Sequence, residues 1–328
     1  MARFTTLDDH DVATIAAGFG LAGPVVARPI VGGTISSNYA FAGVAGDRVF
    51  VRLNEGKPAE VVGWESALVA ELAAAGVPTP APRPTVDGGL VLDHRGLAVS
   101  AFPWCGGHHL AADDVEVGHG RAIGRALAEL HRAGLTLPPA RQRAGIYQFA
   151  DLVRRFDGFR GHPDPALAPA IAVLADELGW LTAQAPTRAA ASHGLIHGDL
   201  FRDNVLWDGE RLVAILDFEQ ASAGSLVYDL AVVLNDWCWR RGADAAPGPA
   251  PALAAAVLAG YQGVRPLTAA DRAALPVEVR AAAARFTITR VTDVYLRQLD
   301  TPDKDFRAFL ARLVAWRGPA LGALLSSV

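Results

Sequence analysis

The length, composition and charge of the chain exclude several classes of protein. Its 328 residues suffice for two domains or two lobes of one, and a hydrophobic content of 51% with 20% charged residues excludes general disorder. The net charge of −4 argues against a nucleic-acid-binding protein, and no apolar run approaches the ~20 residues that span a bilayer. Two cysteines are too few for a disulfide framework or a zinc cluster, and the acidic N-terminus does not resemble a signal peptide. We therefore expect a cytoplasmic, globular protein with no nucleic-acid and no membrane partner.

The first hundred residues predict a β-rich lobe that carries one long helix. Turn residues between β-branched or aromatic runs indicate strands, and apolar residues at helical spacing indicate helices. The expected elements are a helix over 8–19, paired antiparallel strands over 38–42 and 48–53, a helix over 59–75, a hairpin that turns at 87–89, and a strand over 97–102. Proline and glycine at 103–107 then indicate a joint.

Beyond this joint the pattern is mostly helical. Helices are expected over 113–132, 149–158, 166–184, 253–261, 275–299 and 305–325, with a short β-rich patch over 197–218. Because strands and helices are segregated along the chain, the predicted fold class is α+β rather than doubly wound α/β. The predicted division is a small β-rich N-terminal lobe, residues 1–102, and a larger, mostly helical C-terminal lobe, residues 103–328.

The most informative segment reads His-Gly-Asp-Leu-Phe-Arg-Asp-Asn from His197 to Asn204, and the strand pattern after it ends at Asp217. Phosphoryl transfer needs a carboxylate that accepts the proton of the attacking hydroxyl, and amide and carboxylate oxygens that hold Mg²⁺ against the phosphates. An H-x-D-x-x-x-x-N loop followed by a hydrophobic strand ending in Asp is the pattern of kinases. We therefore predict ATP and Mg²⁺ as cofactors, Asp199 as the catalytic base, and Asn204 and Asp217 as metal ligands.

Each of these residues also has a purely structural interpretation. Asp199 fits a helix cap, and Asn204 and Asp217 fit turn positions. Their combination with His197 and the hydrophobic strand favours catalysis. His197 is grouped with the catalytic residues, but its predicted role is to orient the loop by hydrogen bonding rather than to transfer a proton.

A small polar turn between two predicted strands is the candidate phosphate loop. Its residues Gly33, Ser36, Ser37 and Asn38 can bring backbone N–H groups and hydroxyls close to phosphates. Most Gly-Gly turns are only turns. This one lies one hairpin before the strand that is expected to carry a phosphate-binding cation, and we therefore assign the N-terminal lobe to the nucleotide.

That strand has arginine at the position where kinases have lysine. Arg52 is the predicted phosphate-binding cation, and Glu65 in the following helix is its predicted partner. Lys57 is the alternative cation, expected to be solvated in its loop. The strand end at Ser100 and Phe102 is predicted to contact adenine through its backbone, although a plain linker is equally consistent with the sequence.

These motifs resemble those of the aminoglycoside phosphotransferase and choline kinase superfamily of small-molecule kinases. The run from His197 to Asn204, with Asp217 and the later Tyr228-Asp229-Leu230-Ala231, carries the resemblance. Within it the chain resembles the homoserine kinases of the protein-kinase-like type, through Phe201 and Asn235-Asp236-Trp237-Cys238. The resemblance implies a protein-kinase-like two-lobed fold and transfer of the γ-phosphoryl group of ATP to a hydroxyl. It also implies the roles given above to the loop residues, and a bracing role for Asp229.

The resemblance leaves the small-molecule acceptor open. Homoserine or a similar amino alcohol is the leading interpretation, and an aminoglycoside, a choline-like alcohol or a sugar is the alternative. A non-catalytic nucleotide-binding regulator is disfavoured because Asp199, Asn204 and Asp217 are all present. A zwitterionic acceptor needs an anion for its ammonium and a cation for its carboxylate. The candidates are Asp203 and Asp236, with Asn235 as a neutral helper, for the ammonium, and Arg202, Arg285 and Arg290 for the carboxylate.

Overall fold

The computed structural model describes residues 5–30, 36–43, 46–138, 141, 143–240, 247–299 and 301–326. Strands and helices are segregated along the chain, which confirms the predicted α+β class. The chain divides into two compact units. Unit 1 comprises Met1–Gly107 and Val213–Glu219, and unit 2 comprises His108–Leu212 and Gln220–Val328. The segment that ends at Glu219 therefore belongs to the β-rich unit, although most of its sequence neighbours belong to the helical one.

Unit 1 is built on an antiparallel sheet in the strand order β1-β2-β3-β5-β4. Its strands are β1 (Val25–Pro29), β2 (Ser37–Gly43), β3 (Arg48–Leu53), β4 (Leu92–His94) and β5 (Leu97–Pro103). Helix α1 (Asp9–Gly18) begins at a reciprocal cap between Asp8 and Asp11, and α2 (Ala59–Ala74) ends just before Gly76. Buried apolar side chains from α1 and the sheet form the core of this unit.

The predicted pairing of the strands on either side of Gly46-Asp47 is confirmed, with Tyr39 of β2 opposite Val51 of β3. The predicted hairpin at 87–89 is wrong. The hairpin joins β4 to β5 and turns at Arg95 and Gly96, whose φ angles are 54° and 77°. Two-residue hairpin turns need positive φ, which glycine and asparagine favour. Arginine gives no such signal, so the sequence pointed to the nearby Asp-Gly-Gly instead.

Unit 2 is mostly helical. Its helices are α3 (Val117–Gly134), α4 (Phe149–Asp157), α5 (Ala168–Ala183), α6 (Ala185–Ala190), α7 (Leu226–Trp237), α8 (Pro251–Gln262), α9 (Ala269–Arg290), α10 (Phe306–Trp316) and α11 (Ala320–Leu324). Its strands are β6 (His193–Ile196), β7 (Val205–Asp208), β8 (Arg211–Ile215, which continues into unit 1), β9 (Ser222–Ser225), β10 (Trp239–Arg240) and β11 (Gly248–Pro249). Strand β6 pairs with β9 in antiparallel fashion.

Two of the predicted helices differ in extent. The one predicted over 275–299 begins earlier, at a Thr268 cap, and its regular part ends at Arg290, where a π-turn follows. The one predicted over 305–325 is interrupted after Trp316.

Among the residues that the structure describes, no helix is long and apolar enough to cross a membrane.

Candidate active site

The predicted catalytic loop lies in unit 2, between β6 and β7. Gly198 turns the chain there with a φ of +80°, and a Cβ at this position would stand 3.0 Å from the main-chain oxygen of Gln220. Nδ2 of Asn204 donates a hydrogen bond of 2.8 Å to the main-chain oxygen of Asp199. This bond closes the loop and leaves the amide oxygen of Asn204, the atom that a metal ion would bind, outside the contact.

Two side chains hold the carboxylate of Asp199. Nε2 of Gln220 donates to its Oδ2 at 2.9 Å, and Nη1 of Arg285 lies 3.5 Å from its Oδ1. The Asp199 side chain is 25% exposed, so a substrate can still reach it. Sequence reasoning missed Gln220 altogether, although it directly follows the predicted Asp217-Phe218-Glu219 segment. Arg285 was predicted only as one of three arginines that could bind the carboxylate of the acceptor.

Helix α7 braces the catalytic loop. The carboxylate of Asp229 accepts hydrogen bonds from the backbone N–H groups of His197 (2.7 Å) and Gly198 (2.8 Å). About two turns further along the helix, Nε1 of Trp237 donates to the main-chain oxygen of Leu200 at 3.0 Å. Burial opposes the charge on Asp229, but the hydrogen bonds that its carboxylate accepts from His131 and from the backbone of His197, with the charges of the two imidazoles, keep the pKa of Asp229 below its usual value. The predicted bracing role of Asp229 is therefore confirmed.

The histidine of the motif is fully buried. Its Nδ1 accepts a hydrogen bond of 3.3 Å from the backbone N–H of Asp199. A buried imidazole that bonds to the backbone of the next-but-one residue orients the loop, in agreement with the role predicted for His197.

Three of the residues predicted for acceptor binding make hydrogen bonds within unit 2. Arg202 donates through Nε (2.9 Å) and Nη2 (3.1 Å) to the carboxylate of Asp236, and both side chains are largely buried. Asn235 donates to the main-chain oxygens of Ala231 and Val279, and its own oxygen accepts from Trp316. The polar groups of Arg202, Asp236 and Asn235 thus bind one another or the surrounding helices, which favours a structural role, and their contacts with an acceptor stay predictions.

The Arg202–Asp236 pair should be important for stability. We expect Asp236→Asn to lower the free energy of unfolding by about 3 kcal/mol, because it removes the carboxylate that is paired with the buried guanidinium. Urea denaturation measures the change. Asp208→Asn is the matched control: it breaks an exposed pair with Arg211 and should change stability by less than about 0.5 kcal/mol. Equal effects of the two substitutions would contradict a structural role for Asp236.

Unit 1 brings together Arg52 and Asp217, which were predicted to serve the phosphates and the metal. Nη1 of Arg52 lies 3.7 Å from Oδ1 of Asp217, and its Nε donates to Oδ1 of Asn38 at 3.4 Å. Asp217 has a φ of +62°, a left-handed conformation that residues other than glycine seldom adopt and that occurs preferentially at functional sites. Its Oδ1 is buried and accepts no hydrogen bond from any described residue. A buried carboxylate oxygen without a donor fits a ligand of a hard divalent cation.

Lys57 was predicted to be solvated, but in the structure it lies in an ion-pair cluster. Its Nζ is 2.8 Å from the carboxylate of Glu219 and 3.6 Å from that of Glu65. Burial disfavours the charged amine, but the carboxylates of Glu65 and Glu219 outweigh it and raise the pKa of Lys57. The ion-pair partner of Glu65 in the structure is thus Lys57 and not Arg52, which corrects the predicted pairing.

This arrangement separates the two candidate cations experimentally. Two carboxylates already neutralise Lys57, whereas Arg52 adjoins the single carboxylate of Asp217. We expect Arg52→Ala to raise the KM for ATP by about 10- to 100-fold, the value of one or two charged hydrogen bonds to phosphate. Lys57→Ala removes the same charge and serves as the control, with a smaller rise. The reverse order of the two KM values would transfer the role to Lys57.

The candidate phosphate loop lies partly outside the described residues, and Gly33 is among those not described. Ser37 is buried: its N–H donates to Glu55 at 2.8 Å, and its hydroxyl donates to Glu55 and accepts from the N–H of Thr5. Asn38 positions Arg52 through the contact above. Ser36 is half-buried at the start of the strand. The contacts of these residues with a nucleotide stay predictions.

The two residues predicted to contact adenine lie on β5. Ser100 is 3% exposed, and its hydroxyl accepts from Nδ2 of Asn54 at 3.2 Å. Phe102 is half-buried, with its ring centroid 6.3 Å from that of Phe50. The Ser100 hydroxyl is thus engaged within the sheet, and the contact of this strand with adenine stays a prediction.

A braced loop that presents an aspartate and an asparagine, and an arginine–aspartate pair on a small β-rich unit, are features of a kinase-like phosphotransferase. Comparison with known protein families agrees. The model of the Phosphotransferase enzyme family matches residues 26–319. The chain belongs to this family.

Individual relatives extend this result. The chain is 32% identical over 299 residues to a homoserine kinase of Granulibacter bethesdensis, covering 89% of each sequence. Among solved structures it is similar to an amicoumacin kinase in complex with AMP-PNP and Ca²⁺ (TM-score 0.68, 16% identity, 96% of this chain and 93% of that one). It is also similar to a spectinomycin phosphotransferase in complex with ADP (TM-score 0.69, 14% identity, 98% and 99%). At these identities the structures establish the fold, which confirms the predicted protein-kinase-like class.

Proposed function

We propose that this phosphotransferase is an ATP- and Mg²⁺-dependent homoserine kinase. The observation that carries the choice of acceptor is the similarity to a homoserine kinase at 32% identity over 89% of both sequences. The chemistry is supported independently by the loop geometry, in which Gln220 and Arg285 hold the Asp199 carboxylate in one orientation. A base that is positioned before the substrate arrives reduces the entropy lost on reaching the transition state.

Asp199 is the proposed catalytic base, which orients the acceptor hydroxyl and takes its proton as the oxygen attacks the γ-phosphorus. Arg52 is the proposed cation for the phosphates. Oδ1 of Asp217 and the amide oxygen of Asn204 are the proposed metal ligands. The support is that Oδ1 of Asp217 is buried without a hydrogen-bond donor among the described residues, and that Asn204 uses its Nδ2, not its oxygen, for the hydrogen bond to Asp199. Mg²⁺, when bound, neutralises the charge of the phosphates.

A coupled assay of ADP release tests the proposal against the alternative acceptors. The substrates to compare are homoserine, choline, ethanolamine, hexoses and aminoglycosides, with an acceptor-free blank for ATP hydrolysis. We expect kcat/KM for homoserine to exceed every other value by at least about tenfold. A sugar, choline or aminoglycoside that turns over tenfold better than homoserine would overturn the proposed acceptor and leave the phosphotransferase chemistry intact.

A further inference from the structure

Unit 2 contains a cavity of about 310 Å³ beside the catalytic loop. Its walls combine the loop with the segments around it. The residues that matter below are Tyr147 before α4, Gly198 and Gln220 at the loop, Ser225 and Tyr228 at the start of α7, and Arg285 on α9. A volume of this size suits a small ligand of metabolite dimensions.

Arg285 is a buried cation with unused donors in the wall of this cavity. Its side chain is 3% exposed, and one nitrogen, Nη2, donates to Oε1 of Gln220. Nε and Nη1 donate no hydrogen bond to any described residue, although Nη1 lies 3.5 Å from the Asp199 carboxylate. The guanidinium carbon lies 4.3 Å from the ring centre of Tyr147 and 3.8 Å from that of Phe286. Since buried donors without acceptors cost free energy, this arrangement points to a ligand that accepts hydrogen bonds.

Three other arginines, of which Arg202 and Arg290 were candidates for the acceptor, each donate to a group of the protein. Arg188, which also lines the cavity, makes a two-bond contact with Glu278 at 3.2 and 3.0 Å. Arg202 is paired with Asp236. Arg290 packs over the ring of Phe309 and donates to the main-chain oxygen of Asp305. Among the described residues, Arg285 differs from these three side chains in that two of its buried nitrogens have no hydrogen-bond partner.

Two further residues with hydroxyl groups, Ser225 and Tyr228, line the same cavity. Oγ of Ser225 is buried with no hydrogen-bond partner among the described residues. Burial raises the pKa of Tyr228 to about 12, so its hydroxyl stays protonated at neutral pH. A guanidinium with two hydroxyls is a set of donors that suits a carboxylate.

We propose that Arg285 binds the carboxylate of the acceptor in this cavity and so selects hydroxy amino acids over alcohols that lack an acid group. The inference rests on the proposed homoserine kinase function and names the residue that sets its specificity. Four single bonds separate the carboxylate carbon of homoserine from its hydroxyl oxygen, a reach of ~5 Å. Because Arg285 and Asp199 are only 3.5 Å apart, an acceptor held by Arg285 brings its hydroxyl to the base. The cationic groups of choline or an aminoglycoside would be repelled by the same guanidinium.

The test compares two acceptors that differ only in the carboxylate, L-homoserine and 3-aminopropan-1-ol. The quantity measured is the ratio of their kcat/KM values. Because Arg285 also adjoins Asp199, Arg285→Gln is expected to slow both acceptors, and only the ratio isolates the carboxylate contact. We expect the wild type to prefer homoserine by at least about 100-fold and Arg285→Gln to reduce this ratio at least about tenfold. Arg297→Gln, which removes an exposed arginine beyond the end of α9, should leave the ratio unchanged.

A second measurement needs no variant and therefore does not depend on folding. Homoserine amide keeps the hydroxyl and the ammonium but replaces the carboxylate, and the wild type should use it at least about tenfold less efficiently than homoserine. If homoserine is the preferred acceptor but the Arg285→Gln ratio equals that of the wild type, the inference is wrong and Arg285 only positions Asp199. Equal use of the amide and the acid would also overturn it. Failure of the proposed function looks different: homoserine is then not the preferred acceptor in the ADP-release screen.

Discussion

Asp199→Asn is expected to lower kcat by about 10²- to 10⁴-fold while the affinity for ATP stays nearly intact. The asparagine keeps the shape of the side chain and still offers one oxygen to Gln220, whose Nε2 donates to Asp199 at 2.9 Å. What it loses is the capacity to accept the proton of the acceptor hydroxyl. The loss should therefore fall on kcat, since the interaction is made in the transition state rather than with the bound nucleotide.

Steady-state kinetics with saturating acceptor and an independent ATP-binding titration measure the two quantities. Asp208→Asn, which removes an exposed carboxylate, is the matched control and should retain wild-type activity. Activity of Asp199→Asn within about threefold of the wild type would refute its assignment as the base, because general-base removal costs far more than this.

The second large effect is expected at Asp217. Asp217→Ala should reduce turnover at least about 10³-fold and weaken the binding of MgATP, because a proposed metal ligand is lost. Metal-free ATP should bind about as well as before, because its binding needs no metal ligand. The substitution also removes a negative charge 3.7 Å from Arg52, the proposed phosphate-binding cation. Asp217→Asn is the companion variant: asparagine tolerates the positive φ of this position, so a defect there does not come from backbone strain.

Titrations of ATP with and without Mg²⁺ separate these contributions. Asp93→Ala removes an exposed carboxylate of the same unit and should leave both affinities unchanged. If the wild type binds ATP equally well with and without Mg²⁺, Asp217 has no metal to hold, and the placement proposed here fails.

The fold class and the catalytic loop follow from the sequence because both are properties of short segments. The period of apolar residues identifies most helices and the paired strands β2 and β3, and segregation of the two types predicts the α+β architecture. Asp199 and Asn204 are five residues apart, so one loop suffices to link them by the 2.8 Å hydrogen bond. The turn at Arg95 was missed because its residue type gives no turn signal.

The partners of the charged side chains were decided by tertiary structure. Gln220 and Arg285 reach Asp199 from 21 and 86 positions away, and Lys57 rather than Arg52 meets Glu65. Sequence spacing does not predict these partners, because they depend on which helix packs beside the loop and on how that helix is rotated. The same packing joins Arg202 to Asp236 and leaves donors of Arg285 unpaired. The sequence by itself therefore determined the fold class and the motif of a phosphotransferase, whereas the three-dimensional packing decided which charged side chains pair with one another and which buried donors have no partner among the described residues.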